Sequence, residues 1–191
     1  MKYAGGTDFM KATGIVRRVD DLGRLVIPKE IRRTLRLREG TPMEIFTDRE
    51  GQIVLKKYSP MAELGTFAAQ YADALAAGSG HMVCITDRDQ VLAVSGGMRK
   101  DLRQKGISED LSRLLSRRET LTASRGDSGF IPILAEENPE YLSEMIVPIL
   151  CEGDVIGSVI LAGREAKGRM GETEQKLAST ASGFLGRQME G

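Results

Sequence analysis

The chain has 191 residues, with 27 Lys and Arg against 27 Asp and Glu, one His, two Cys, no Trp and 41% apolar residues. That is the profile of a soluble globular protein of one or two domains. No stretch approaches the roughly 18 to 20 uncharged apolar residues of a membrane span, and no basic segment with an apolar core and a small-residue cleavage site opens the chain. A cytoplasmic protein without a membrane partner is expected. His81, the single histidine, excludes multi-histidine metal sites and argues against a His-based nucleophile, which needs a base and an orienting third group. Neither metal, cofactor nor catalytic residue is expected. Cys84 and Cys151 sit in the apolar runs MVCIT and VPILCEGDV, where free thiols behave as small hydrophobes, so no disulfide framework is expected.

The neutral total hides an asymmetry. Residues 10–58 carry twelve Lys and Arg against seven acids, a net charge of +5, whereas residues 59–191 carry 14 against 19, a net charge of −5. A short basic module thus precedes a longer acidic one. Most of its cations are Arg, which can make bidentate contacts to guanine edges and phosphates, so it reads as a nucleic-acid binder. The boundary falls at Tyr58-Ser59-Pro60, where strand-like sequence gives way to a Ser N-cap and a Pro suited to the first helical position. Residues 1–9 join no periodic pattern and are read as a frayed leader or the product of an upstream start.

In chain order, Thr13–Val19 reads as a strand of alternating β-branched residues, Asp20–Gly23 as a turn, and Leu25–Ile27 as a short strand ending at Pro28. Pro28 can open a helix over Lys29–Leu37 with Ile31 and Leu35 on one face, and Gly40 breaks it. Met43–Thr47 and Gln52–Lys57 are two further strands, joined by Asp48-Arg49-Glu50-Gly51 with a Gly placed for positive φ. A ββαββ unit of about 50 residues buries little surface and has no Cys or metal staple, so it is expected to dimerise.

These residues, GIVRRVDDLGRLVIPKEIRRTL above all, closely resemble the N-terminal domain of the AbrB family of transition-state regulators. The resemblance runs almost without a gap over about 49 residues. It implies a dimeric swapped-hairpin barrel on double-stranded DNA, with Arg17, Arg24, Arg32 and Arg33 as the contacting arginines and Arg18 and Lys11 as further backbone contacts. Asp20, Asp21 and Glu30 interrupt the basic set and are read as orienting the arginines or supporting the turn and helix start.

Beyond the boundary, an amphipathic helix is predicted over 60–77, with Met61, Leu64, Ala68, Tyr71, Ala72 and Leu75 at helical spacing. A hairpin follows, Met82–Thr86 with Val91–Ser95, then a short helix over Met98–Lys105 and a second capped by Ser108 with Leu111, Leu114 and Leu115 inside. Met145–Leu150 and Val155–Leu161 form another hairpin across Cys151–Asp154, and a helix over 172–189 carries Leu177, Ala181, Phe184 and Leu185. Pro148 cannot donate to a ladder, so its strand is placed at an edge or beside a bulge. The order predicts an α+β antiparallel sheet with helices on one side. VPILCEGDVIGSVIL resembles the closing hairpin of GAF domains, small-molecule sensing modules. The whole chain from Met10 then resembles regulators of sporulation genes that join an AbrB-type domain to a GAF domain.

In GAF domains that bind ligands, the pocket lies between the sheet and the segment corresponding to residues 96–144. That segment shows no cyclic-nucleotide or metal motif, and its ligand residues and effector are unknown. Two alternatives stand beside the regulator: an antitoxin-like protein with the same N-terminal fold, and a GAF-fold methionine sulfoxide reductase, whose Cys set Cys84 and Cys151 do not match. For assembly, self-association is expected through residues 10–58, and again through helices 60–77 and 172–189. A closed tetramer is favoured over a dimer.

Overall fold

The computed structural model of the chain describes residues 13–59, 61, 65–97, 100–134, 139–164 and 170–190. Residues 1–9, Lys11, Pro60 and Leu64, read above as leader, DNA contact, helix start and helix stripe, lie outside them. The described residues form two compact units that divide between Thr41 and Pro42.

In the first unit, residues 13–19 and 25–27 carry no regular strand, contrary to the expectation. A ladder needs a second row of amides. Among the described residues only the turn supplies backbone bonds across these segments: the Asp20 amide donates to the Arg24 carbonyl at 3.1 Å and the Gly23 amide to the Asp20 carbonyl at 3.0 Å. Val16 is 83% exposed and Val26 71%, so the β-branched residues that predicted strands have no covering partner in a single chain. Helix α1 spans Lys29–Thr34 after Pro28, whose carbonyl accepts the Arg32 amide at 2.9 Å. It ends short of Leu37 because Arg36 takes a left-handed φ of 52°.

The second unit opens with a hairpin of β1, Met43–Thr47, and β2, Ile53–Lys57. Their antiparallel register sets Met43 opposite Lys57 and Thr47 opposite Ile53. Asp48 closes the turn by accepting the amides of Glu50 at 2.9 Å and Gln52 at 2.8 Å, and Gly51 has the positive φ that its place required, 82°.

Then come α2, Gly65–Ser79, β3, Met82–Asp87, β4, Val91–Ser95, a 3-10 turn at Lys100–Leu102, α3, Glu109–Ser116, and β5, Leu121–Ser124. The chain continues with β6, Ser143–Cys151, β7, Asp154–Gly163, and α4, Glu172–Arg187. Five strands make one sheet in the order β4-β3-β7-β6-β5, antiparallel throughout. Ser108 caps α3 as predicted, its hydroxyl accepting the Leu111 amide at 3.0 Å. Strand β5 escaped the periodicity because four residues, LTAS, offer too few alternations. It pairs with β6 only as far as Ile146, so Pro148 sits where β6 has become an edge, next to a register shift between Ile149 and Leu150.

Helices lie on both faces of this sheet, which corrects the one-sided layering. Val83, Ile85, Met145, Val147, Val159 and Leu161 face α2 and α4. The alternate residues Met82, Cys84, Ile146 and Ile160 face α3 and the loop residues Ile133 and Leu134. Fully buried strands are apolar on both sides, so alternation in the sequence could not separate two covered faces from one.

The terminal helices bury part of their predicted stripes, Ala68 and Ala72 of α2 and Ala181 and Leu185 of α4, together with Ala76, Ala178, Ser182 and Gly186. Small residues bring both helices close to the sheet, and a Cβ on Gly186 would collide with the Leu150 carbonyl oxygen. Phe67, Tyr71 and Phe184 cluster toward the outer side, with ring centroids 5.4 to 6.2 Å apart; Phe67 and Tyr71 still pack against the core, and Phe184 is 41% exposed.

Candidate nucleic-acid interface and sensor face

Arg17, Arg18, Arg24, Arg32 and Arg33 are all exposed. Arg17, Arg18 and Arg24 flank the turn, while Arg32 and Arg33 occupy the last turn of α1. Asp20 organises the turn from within. Its Oδ1 accepts the amides of Leu22 at 3.0 Å and Arg24 at 2.7 Å, and its Oδ2 takes the Arg24 Nε at 2.7 Å. The Arg24 amide and then its guanidinium hold the Asp20 carboxyl below its ordinary range, so the ion pair expected between an intervening acid and an arginine is present. Arg17 donates from Nη1 to the Val16 carbonyl at 3.0 Å. On the hairpin, Lys56 stands 4.8 Å over the Phe46 ring.

The α3 side of the sheet holds a group that sequence reasoning missed. Glu144 is completely buried, on the same face of β6 as Ile146, with the small residues Ala123 and Ala162 as its cross-strand neighbours. Its Oε1 accepts the Ile131 amide at 2.6 Å, whereas Oε2 finds no partner among the described residues. Tyr141 accepts the Ile133 amide on its hydroxyl at 3.0 Å, and its ring lies 5.5 Å from that of Phe130. A charged residue opening a strand gives no sign in sequence that both its neighbours are alanines.

Burial raises the Glu144 carboxyl from an ordinary 4.5 to about 8, against the lowering effect of the Ile131 amide. The folded state therefore keeps a proton that the unfolded chain releases, so stability is fullest below pH 4.5 and declines as pH rises toward 8. A melting temperature that falls across this interval is expected for the wild-type contribution of this group, and Glu144→Gln should flatten that part of the slope. Thermal melts of both proteins between pH 5 and about 8 check this; identical slopes would show that the carboxyl is ionised in the fold.

Cys84 is buried and Cys151 partly so, and no disulfide joins them. Burial, then Glu152, Glu190 and Asp154, push the Cys151 thiol up, away from the thiolate that a cysteine catalyst needs. His81 pairs through Nε2 with Glu174 at 3.2 Å. No group of three or more His, Cys, Asp or Glu that could hold a metal occurs among the described residues, and none of their helices is long and apolar enough to cross a membrane.

Comparison with known proteins adds three kinds of likeness. The family model described as "Stage V sporulation protein T C-terminal, transcription factor" matches residues 63–190, and that of the MazE bacterial antitoxin, "antidote-toxin recognition", matches residues 16–63. Stage V sporulation protein T of Bacillus subtilis (strain 168) is 52% identical over 181 residues, 95% of this chain and 99% of that protein. Transition state regulatory protein AbrB of the same organism is 62% identical over 52 residues, 27% of this chain and 53% of its own. In structure, the GAF domain of a phosphoenolpyruvate-protein phosphotransferase from Acinetobacter superposes with a TM-score of 0.56 at 14% identity, over 70% of this chain and 84% of that one, and shows the fold. The chain belongs to the stage V sporulation protein T family of sporulation transcription factors, an AbrB-like DNA-binding domain followed by a GAF-like domain.

Proposed function

We propose that this chain binds operator DNA in the cytoplasm as a homo-oligomer, through Arg17, Arg24, Arg32 and Arg33, with Arg18 and Lys11 on the phosphate backbone. The domain boundary falls near residue 58, and residues 59–191 sense a small molecule and join further copies. The observation that carries this reading is the coincidence of cations and bare apolar residues in one segment. Val16, Leu22, Leu25 and Val26 lie exposed between the arginines, so a second chain that completes the strands covers the apolar residues and doubles the set of arginines.

The second dimer contact belongs to the outer aromatic side of α2 and α4, where Phe67, Tyr71 and Phe184 cluster. Two different contacts per chain close a tetramer, and two DNA-binding pairs on one scaffold gain through effective concentration.

The antitoxin reading is favoured by the match over residues 16–63. Against it, the segment that would have to be a toxin-binding tail contains the five-stranded sheet and both of its cores. The test is the salt dependence of affinity for a duplex carrying a site selected in vitro. Neutralising several phosphates predicts a linear fall of log affinity with log salt, at about 0.9 per contact. An affinity indifferent to salt contradicts the assignment.

A further inference from the structure

Neither DNA contact nor sensing uses the two aspartates of the β3–β4 turn, yet the turn is bonded to the end of β2 on one side and to residues 104–107 on the other. Asp87 is nearly fully buried. Its Oδ1 fixes the turn by accepting the amides of Asp89 and Gln90, each at 2.7 Å. Its Oδ2 accepts the Ser59 hydroxyl at 2.9 Å. Asp89 pairs with Lys57 at 2.9 Å, with side chains 25% exposed for the lysine and 40% for the aspartate. Lys57 is the last residue of β2, so the strand that leaves the AbrB-like segment is gripped at two points by the turn of the GAF-like sheet. Ser59, read as a helix cap, spends its hydroxyl on this grip.

The same turn is bonded on its other side. The Ile107 amide donates to the Asp89 carbonyl at 2.9 Å, the Val91 amide to Lys105 at 3.0 Å and the Gln104 amide to Val91 at 2.8 Å. Ile107 is completely buried in the core beneath α3. The next residue, Ser108, caps α3 and donates its amide to the Ile133 carbonyl at 2.7 Å. The turn therefore stands between the hairpin β1–β2 and the loop that covers Glu144.

We infer that Asp87 and Asp89 are positioning residues for DNA binding, clamping the hairpin β1–β2 through Ser59 and Lys57 onto the sensor sheet. This rests on the oligomeric DNA-binding reading above. The clamp fixes the orientation of each hairpin on its sensor domain, and thereby the spacing of the two DNA-binding pairs on one assembly. A repacking of residues 104–108 or 131–133 shifts the turn that holds the hairpin, which gives the sensor face a mechanical route to the DNA-binding module.

The test uses the full chain. Asp87→Asn replaces the carboxylate that organises the turn, so the clamp is opened instead by Ser59→Ala with Asp89→Lys, which leave the Oδ1 bonds of Asp87 in place. Methyl relaxation of Ile45 and Ile53 in the hairpin is compared with that of Ile85 and Ile160 in the sheet. One common correlation time is expected for the wild type, and a value at least about twofold shorter for the hairpin methyls in the variant, as independent tumbling requires. The swap Lys57→Asp with Asp89→Lys restores the common value. Two correlation times already in the wild type, or one unchanged in the variant, overturn the clamp.

For duplexes carrying one or two copies of a selected site, the open variant loses about tenfold in affinity for the two-site DNA and less than about twofold for the single site. Equal losses on both, no loss on either, or a wild type without two-site preference overturn the positioning role. A wild type that binds neither duplex overturns the DNA-binding reading itself, while the relaxation measurement still decides the clamp.

Discussion

Arg24→Ala and Arg32→Ala are each expected to cost roughly 1–3 kcal/mol of discrimination for the correct DNA site, about 5- to 150-fold in affinity. Both side chains are exposed, so neither change removes core atoms or alters the fold. Arg24 must leave or share Asp20 to reach a base edge or phosphate, and the pair lies at the surface, where such a partner is given up at little cost. Asp20 keeps its bonds to the Leu22 and Arg24 amides, so the turn persists without the guanidinium. Fluorescence anisotropy on a selected duplex checks the loss, and the slope of log affinity against log salt should shrink by about 0.9 for each phosphate contact removed. Unchanged affinity for both variants removes these arginines from the interface.

Deleting residues 172–191 is expected to unfold the GAF-like domain outright. Ala178, Ala181 and Leu185 of α4 are completely buried against the sheet, and the Ser182 hydroxyl bonds the Pro148 carbonyl at 2.5 Å. Truncating one buried Leu to Ala costs about 2–5 kcal/mol, against a total stability of about 5–15 kcal/mol. Losing the whole helix leaves the β6–β7 half of one sheet face in water. Circular dichroism of the deletion should show a lost cooperative melt, and a native-like melt contradicts the layering described here. Phe184→Asp is the informative change for assembly, since this ring stacks on Tyr71 at the outer side and contributes little to the core.

What the sequence made legible follows from local signals. The strands β1 and β4 were placed to the residue, and the Ser108 cap and the break at Gly51 were read correctly, because turn chemistry and alternation act within a few positions. The strands at 13–19 and 25–27 were not found in the single chain, where no second row of amides among the described residues pairs with them. The side of α2 and α4 that faces the sheet was legible in part: Ala68, Ala72, Ala181 and Leu185 of the predicted stripes are buried, whereas Phe184 is exposed and Gly186 was not marked by hydrophobicity. Close packing favoured Ala and Gly, as at Gly186. Glu144 and the pair Lys57–Asp89 are tertiary facts: a buried carboxyl and a contact 32 positions apart leave no periodic trace.

The central claim is that two separate faces, the arginine-bearing segment and the outer aromatic side of α2 and α4, assemble the chain into a DNA-binding oligomer. Light scattering on the full chain and on Phe184→Asp tests it most directly. Four chains per particle for the wild type and two for the variant, both with native circular dichroism, are predicted. The same mass for both proteins, or a monomer in either, contradicts it.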